Sequence, residues 1–260
     1  MHRKETEKFA ILIPTRDEAA NILRLLSRIQ AALERAEIDY EIVVVDDDSR
    51  DGTAEKVLAA AMADERIRLS VRRGERGLAG AILHGWQNTD AEILGVIDAD
   101  LQHPPELLPA LFDAIVEGHD LAIASRYIEG GNVDGWNPAR RILSSVAAWA
   151  CLPLQPRGLR ACDPLSGFFL VRRRCIYGLD FQQRGFKLLL EILIRGRVSS
   201  VQEIPYSFIR RGAGRSKAGI GVALDYIALM ARLYRRRYGL SRLSHTLTAE
   251  RIIGSPDPRF

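Results

Sequence analysis

Short runs of branched aliphatic residues recur along the first half of the chain, and each stops abruptly at polar residues: FAILIP, YEIVVVDDD, RIRLSV, EILGVIDAD and DLAIASR. Segments of helical spacing lie between them, the first with Ile22, Leu25, Leu26, Ile29 and Leu33 on one face. Near-continuous apolar runs mark strands buried on both faces, and regular alternation with helices requires crossover connections. The pattern predicts an α/β fold with a mostly parallel central sheet and helices on both faces. DGTAEKVLAAAMA, GLAGAILHGWQN and ELLPALFDAIVEG supply the other helices of this half, the last opened by Pro104 and Pro105.

Beyond Tyr127 the rhythm loosens. YIEGGNVDGWNP reads as loop, ARRILSSVAAWACL as helix, and GLRACDPLSGFFLVRR as loop running into strand. FKLLLEILIRG is a further helix, VQEIPYSFIRR a further strand, and GAGRSKAG a glycine-rich basic loop. With no linker or repeat in view, a single domain is expected over 1–240, followed by a tail at 241–260. The amphipathic segment at about 220–238 sets Leu224, Ile227, Leu229, Met230 and Leu233 beside Arg232, Arg235, Arg236 and Arg237, a pattern suited either to packing on the domain or to a membrane surface.

In a parallel α/β sheet, ligands bind beyond the carboxyl ends of the strands. Four predicted strands end in chemically useful residues there: Pro14 to Glu18, Asp46 to Ser49, Asp98 to Gln102, and Ser125 with Arg126. Asp98 and Asp100 share a side if extended backbone continues past the strand. Two such carboxylates repel unless a cation or proton intervenes, and hard oxygen ligands beside phosphates suit Mg2+ or Mn2+. Asp51 and Thr53 cap the following helix, whereas one of Asp46, Asp47 and Asp48 could accept hydrogen bonds from a base or ribose.

The excess of basic residues, 37 against 33 acidic, falls largely beyond Arg140, so one face favours anionic partners. RRGAGRSK combines backbone freedom with phosphate-binding side chains, but it lacks the arrangement of an ATP-hydrolysing P-loop. The arginines at 172–174 and 235–237 read as solvated surface. Cys151, Cys162 and Cys175 lack zinc or redox spacing, which points to buried thiols in a reducing compartment, the cytoplasm. No apolar run is long enough to span a bilayer. A nucleic-acid-binding protein would explain the basicity but not the acidic strand ends, so nucleic acid is not an expected partner.

IPTRDE, VVVDDDS followed by DGT, DADLQHPPE, SRY, DPLSGFF, GFK with EIL, and GRSK occur in the order found in glycosyltransferase family 2. The chain resembles that family over roughly residues 9 to 235, and within it most closely the dolichol-phosphate mannose synthases. The resemblance implies a GT-A fold and inverting transfer of mannose from GDP-mannose to a dolichyl or polyprenyl phosphate at a membrane surface. It also implies a divalent cation on Asp98, Asp100 and Gln102, with Asp100, Arg126 and Arg140 as the catalytic set. Pro14, Thr15, Glu18, Asp47, Asp98 and Ala99 would line the donor nucleotide, with Lys187, Arg211 and Lys217 at the donor phosphates or the closing loop. Arg126, Arg140 and Ser144 would hold the acceptor phosphate. His84 and His103 are expected in supporting roles, and a UDP-sugar donor is the near alternative. Arg16 and Asp17 stand where the family usually carries Tyr-Asn, and Arg215 where an acidic residue is common. Peripheral association with the cytoplasmic membrane face follows, with a membrane-anchoring partner subunit as a possible tether.

Overall fold

The computed structural model describes residues 7–133, 138–181, 187–208 and 220–238, the side chains of 138–140, 220–225 and 236 excepted. In chain order the elements are β1 (Phe9–Thr15), α1 (Ile22–Arg35), β2 (Glu41–Asp46), α2 (Thr53–Ala63), β3 (Ile67–Val71), α3 (Leu78–Gln87) and β4 (Ile93–Val96). A 3-10 turn at Pro105–Leu107 leads into α4 (Leu108–Val116), followed by β5 (Leu121–Ser125), β6 (Asn132–Val133) and α5 (Pro138–Cys151). Then come β7 (Phe169–Arg172), α6 (Arg173–Ile176), α7 (Leu188–Arg195), β8 (Val201–Pro205), β9 (Ser207–Phe208) and α8 (Ile220–Tyr238). Two compact units divide the chain, Met1–Lys217 and Ala218–Phe260. The second contains α8, whose Ile227 is exposed.

Seven strands form the main sheet in the order β3-β2-β1-β4-β7-β5-β8. All neighbours run parallel except β7, which is antiparallel to both β4 and β5. That reversal places the start of β7 on the rim where β4 and β5 end, with Phe169 in register with Val96 and Ile123. The loop before β7 therefore enters the site as a direct consequence of strand direction.

Alternate residues of β1 feed two cores. Phe9, Ile11 and Ile13 meet the apolar faces of α1 and α4, including Leu25, Ile29, Leu111 and Ile115. Ala10 and Leu12 face the other way, with Ile82 and Trp86 of α3 and Leu189 and Ile192 of α7. Both faces of the sheet are thus covered, as its unbroken aliphatic runs require. Helix α3 lies so close that a Cβ added at Gly85 would stand 2.4 Å from Leu12 Cδ2 and 3.1 Å from Val45 Cγ2.

Several details differ from expectation. VQEIPYSF divides into two strands at Tyr206, because β9 leaves the main sheet to pair with β6. Arg172 and Arg173 are half-buried rather than solvated. Arg172 pairs with Glu7 and donates to the carbonyls of His119 and Ile115, and Arg173 donates to those of Trp86, Thr89 and Ala91. They serve as hydrogen-bond donors to carbonyls at helix ends and turns. Arg174 alone of the three keeps an exposed side chain, paired with Asp120 at 2.8 Å. Cys151 and Cys175 are buried, but Cys162 is exposed.

Candidate active site

The loops after β1 and β2 are laced together by short polar side chains. Thr15 Oγ1 donates to Asp46 Oδ1 at 3.0 Å, and the buried Asp46 also accepts from Ser49 N at 2.9 Å and Ser49 Oγ at 2.5 Å. Asp17 takes a left-handed φ of 52°, a conformation that aspartate tolerates, and its N–H donates to Ser49 Oγ at 2.8 Å. Asp51 accepts from the first helical N–H, that of Thr53, at 3.1 Å, and from Ala19 N at 2.9 Å. The cap position itself is Gly52, with φ 89°, so Asp51 acts from one residue earlier than a standard cap. Thr53 Oγ1 in turn accepts from Glu18 N at 2.9 Å. Glu18 is held where the expected nucleotide contacts begin.

Asp47 is nearly inaccessible, and its oxygens already have partners. Arg72 Nε donates to Oδ1 at 2.8 Å and Gly77 N to Oδ2 at 2.9 Å, with Arg72 itself buried. A base contact would have to share this carboxylate with both. Nothing in SVRRG distinguishes Arg72 from Arg73 by type, so this brace was not foreseeable from sequence.

Regular strand ends at Val96, and the chain turns through Ala99 and Asp100 to Leu101, whose φ is 61°. The extended path that would align Asp98 with Asp100 is therefore not kept. The Asp98 side chain remains 32% exposed, whereas Asp100 is buried and its Oδ1 accepts from Gln102 N at 3.1 Å. His103 packs between the rings of Phe168, Tyr206 and Phe208, with its Nδ1 3.7 Å from Asp98 Oδ2. Burial pushes its pKa down to about 4, so the imidazole is neutral at physiological pH. His103 Nδ1 and the Tyr206 hydroxyl are buried without a hydrogen-bond partner among the described residues. Orphaned polar atoms beside carboxylates are what a site looks like when substrate or water completes its bonding.

Arg126, just past β5, is gripped by the fully buried Asp163. Its Nε and main-chain N–H donate to Oδ2 at 2.7 and 3.1 Å, and Nη2 donates to Oδ1 at 2.8 Å. Burial works against the charged guanidinium, but Asp163 outweighs it and holds Arg126 more firmly protonated than usual. Asp163 is positioned by Glu203 of β8, whose carboxylate accepts from Cys162 N at 2.7 Å and Asp163 N at 3.0 Å. Lys187, immediately before α7, donates to Leu165 O at 3.2 Å. Its pKa is lowered by burial first and by Arg126 second, with Asp98 and Asp163 opposing. The phenol of Tyr206 is raised by burial, and Arg126, Asp163, Asp98 and Asp100 all act on it. These groups thus share one electrostatic neighbourhood.

On this rim the structure gathers Asp98, Asp100, Arg126 and Lys187, and Tyr127 Oη donates to Ser144 Oγ of α5 at 2.6 Å. Pro14, Thr15, Glu18 and Asp47 lie at the ends of the adjoining β1 and β2. The side chain of Arg140 and the whole of Arg211 and Lys217 lie outside the described residues. Asp163, Glu203, Arg72 and Tyr206 complete the setting. Asp163 alone could have been singled out, since it opens the DPLSGFF motif.

Among the described residues no three acidic, His or Cys side chains form a metal cage. Such a cage is not a requirement for Mg2+, which is usually held by one or two carboxylates with substrate phosphates and water supplying the rest.

The family model described as Glycosyl transferase family 2 matches residues 10–179. A dolichol-phosphate mannosyltransferase of Pyrococcus furiosus is 39% identical over 91% of this chain, which spans 66% of that protein's length. The same-named protein of Saccharomyces cerevisiae is 34% identical over 91% of this chain and 90% of its own. Among solved structures, a glucosyl-3-phosphoglycerate synthase of Mycobacterium tuberculosis, in complex with Mn2+, UDP-glucose and phosphoglyceric acid, superposes with a TM-score of 0.65 at 18% identity. The match covers 87% of this chain and 79% of that one. A mannosyl-3-phosphoglycerate synthase of Rubrobacter xylanophilus gives 0.62 at 20% identity, over 97% and 78%. The strand order, the acidic rim and these matches agree: the fold is GT-A, and the chain belongs to glycosyl transferase family 2.

Proposed function

We propose that this glycosyltransferase moves mannose from GDP-mannose to a dolichyl or polyprenyl phosphate, inverting the anomeric carbon and using Mg2+ or Mn2+. The observation that carries the reading is the arrangement around Asp163 to Gly167. A carboxylate tip for a cation, Asp98, lies against one end of a short segment whose other end grips a buried, pre-oriented guanidinium for a phosphate, Arg126. The names and identities of the full-length relatives support mannose and dolichol phosphate as the substrates.

A phosphate monoester is already an anionic nucleophile at neutral pH, so no strong general base is required. The neutral, buried His103 agrees with that economy. What the residues must do is align two anions that repel each other. Arg126, with Arg140 and Ser144, would orient the lipid phosphate so that its oxygen attacks the sugar C1 from the face opposite the diphosphate. The C1–oxygen bond to GDP breaks as the new bond forms, and GDP leaves with the electron pair. Asp98 and Asp100, with Gln102, would hold the cation, which neutralises charge on the departing diphosphate. Pro14, Thr15, Glu18, Asp47 and Ala99 would border the nucleoside, with Lys187, Arg211 and Lys217 on the donor phosphates.

A lipid acceptor is further supported by α5. Ile142, Leu143, Val146 and Trp149 are exposed along one side of that helix, Trp149 by 77%, while Ser144, which accepts from Tyr127, lies on the opposite side with the buried Ala148 and Cys151. An exposed apolar stripe on the outward side of the helix whose inner side carries Ser144 suits a membrane surface, as the basic α8 does. Among the described residues no helix is long and apolar enough to cross a membrane. The reading we propose is peripheral attachment at the cytoplasmic membrane face, supported by the exposed apolar side of α5.

The test is transfer of labelled sugar into organic-extractable lipid. GDP-mannose should label polyprenyl phosphate, and chelation should stop the reaction. Preference for a UDP-sugar would overturn the mannose assignment, and full activity with chelator would overturn the cation.

A further inference from the structure

We propose that the segment from Asp163 to Gly167 is a spacer setting the relative placement of the cation-binding carboxylate and the acceptor arginine, with Asp163 positioning Arg126 and Gly167 positioning Asp98. The inference rests on the function proposed above and adds two positioning residues to it.

Gly167 is the more telling of the two. Its φ lies outside the left-handed region, so the backbone there does not require glycine. What requires it is Asp98: a Cβ at position 167 would stand 2.6 Å from Asp98 Oδ2 and 3.2 Å from its Cγ. The carboxylate rests on the bare backbone, and any side chain there would turn it away.

The segment is built not to move. Ser166 N donates to Asp163 O at 3.2 Å, closing a turn, and Phe168 N donates to Ser166 Oγ at 3.2 Å. Ala124 N donates to Phe168 O at 3.0 Å, tying it to β5, while Glu203 holds its other end through Cys162 N and Asp163 N. Upstream, Gln155 pairs with both backbone groups of Ala161, at 2.7 and 3.2 Å. Lys187 adds a bond to Leu165 O between the two ends. Reactions between two anions depend on alignment to fractions of an ångström, which such a cross-linked segment supplies.

The experiment compares Gly167→Ala, Asp163→Asn and the parent chain by calorimetric titration of Mn2+ in the presence of GDP. It also takes KM for polyprenyl phosphate and the thermal midpoint. In Gly167→Ala the obstructed group is a side-chain carboxylate that can rotate, so the midpoint should hold. Mn2+ affinity should fall about tenfold, the scale of changes around metal ligands, with lipid KM within about twofold of the parent. Asp163→Asn should do the reverse, raising lipid KM about tenfold with Mn2+ affinity within about twofold. Parental Mn2+ affinity in Gly167→Ala overturns the proposal, as do equal changes of both quantities in both variants, which would mark a merely structural role. Should Asp163→Asn fail to fold, Asp163→Glu, which keeps the charge but shifts the guanidinium, takes its place and should likewise raise lipid KM with Mn2+ affinity held; parental lipid KM there overturns that half of the proposal. A parent chain that takes up no Mn2+ with GDP sinks the proposed function as well, which separates that failure from failure of the spacer.

Discussion

Arg126 and Asp163 meet in a buried fork, Nε 2.7 Å from Oδ2 and Nη2 2.8 Å from Oδ1, with the arginine side chain 10% exposed and the aspartate fully enclosed. A guanidinium so held has one orientation. It also cannot lose its partner cheaply, since breaking a buried pair strands a charge and costs about 3–5 kcal/mol. Asp163→Asn should lower the free energy of unfolding by about that amount. Denaturant titration measures it, and a loss under about 1 kcal/mol, the worth of an exposed pair, would contradict the buried pairing.

Asp100→Asn separates chemistry from folding at the rim. The asparagine keeps an oxygen for the bond that Asp100 Oδ1 accepts from Gln102 N, so the turn should survive. Transfer should fall by at least about a hundredfold for loss of a charged ligand in a two-carboxylate site. Circular dichroism and a steady-state assay check both halves, and near-parental turnover would remove Asp100 from the mechanism.

Gly85→Ala pits helix propensity against packing. Alanine in mid-helix gains about 1 kcal/mol over glycine, but here its Cβ would meet Leu12 Cδ2 at 2.4 Å inside a filled core. Overpacking costs about 1–3 kcal/mol, so net destabilisation of up to about 2 kcal/mol is expected. A raised thermal midpoint would show that α3 stands further from the sheet.

Asp64 predicts part of the acid sensitivity. Hydrogen bonds from Arg66, with a further one from Gln30, hold its pKa down at about 2 against an ordinary 3.8. A depressed carboxylate stabilises the fold above its unfolded pKa, and that share is lost as pH falls from about 4 to about 2. Arg66 is 37% exposed, so water screens the pair and the share is about 1 kcal/mol. Asp64→Asn should flatten the stability profile across that window and lower stability at neutral pH. An unchanged profile would contradict the assignment.

The sheet was legible because its aliphatic runs are long and end sharply, and EIVVVD could be little else than a buried strand. Strand direction was not. FLVR reads the same whether parallel or antiparallel, yet its reversal is what carries Asp163 and Gly167 to the rim. Asp98 and Arg126 announced themselves by standing at strand ends. Glu203 and Arg72 did not, because their roles depend on partners about 40 and 25 residues away, Asp163 and Asp47. Arg172 and Arg173 misled for a similar reason: charge suggests water, and only the assembled chain reveals the carbonyls they satisfy.

Anomalous diffraction from crystals grown with GDP and Mn2+ would locate the cation itself. A manganese peak is expected within coordination distance of the Asp98 or Asp100 carboxylate and of the diphosphate, with the nucleoside along the rim of Thr15 and Asp47. A peak remote from both carboxylates, or GDP bound away from that rim, would contradict the proposed site.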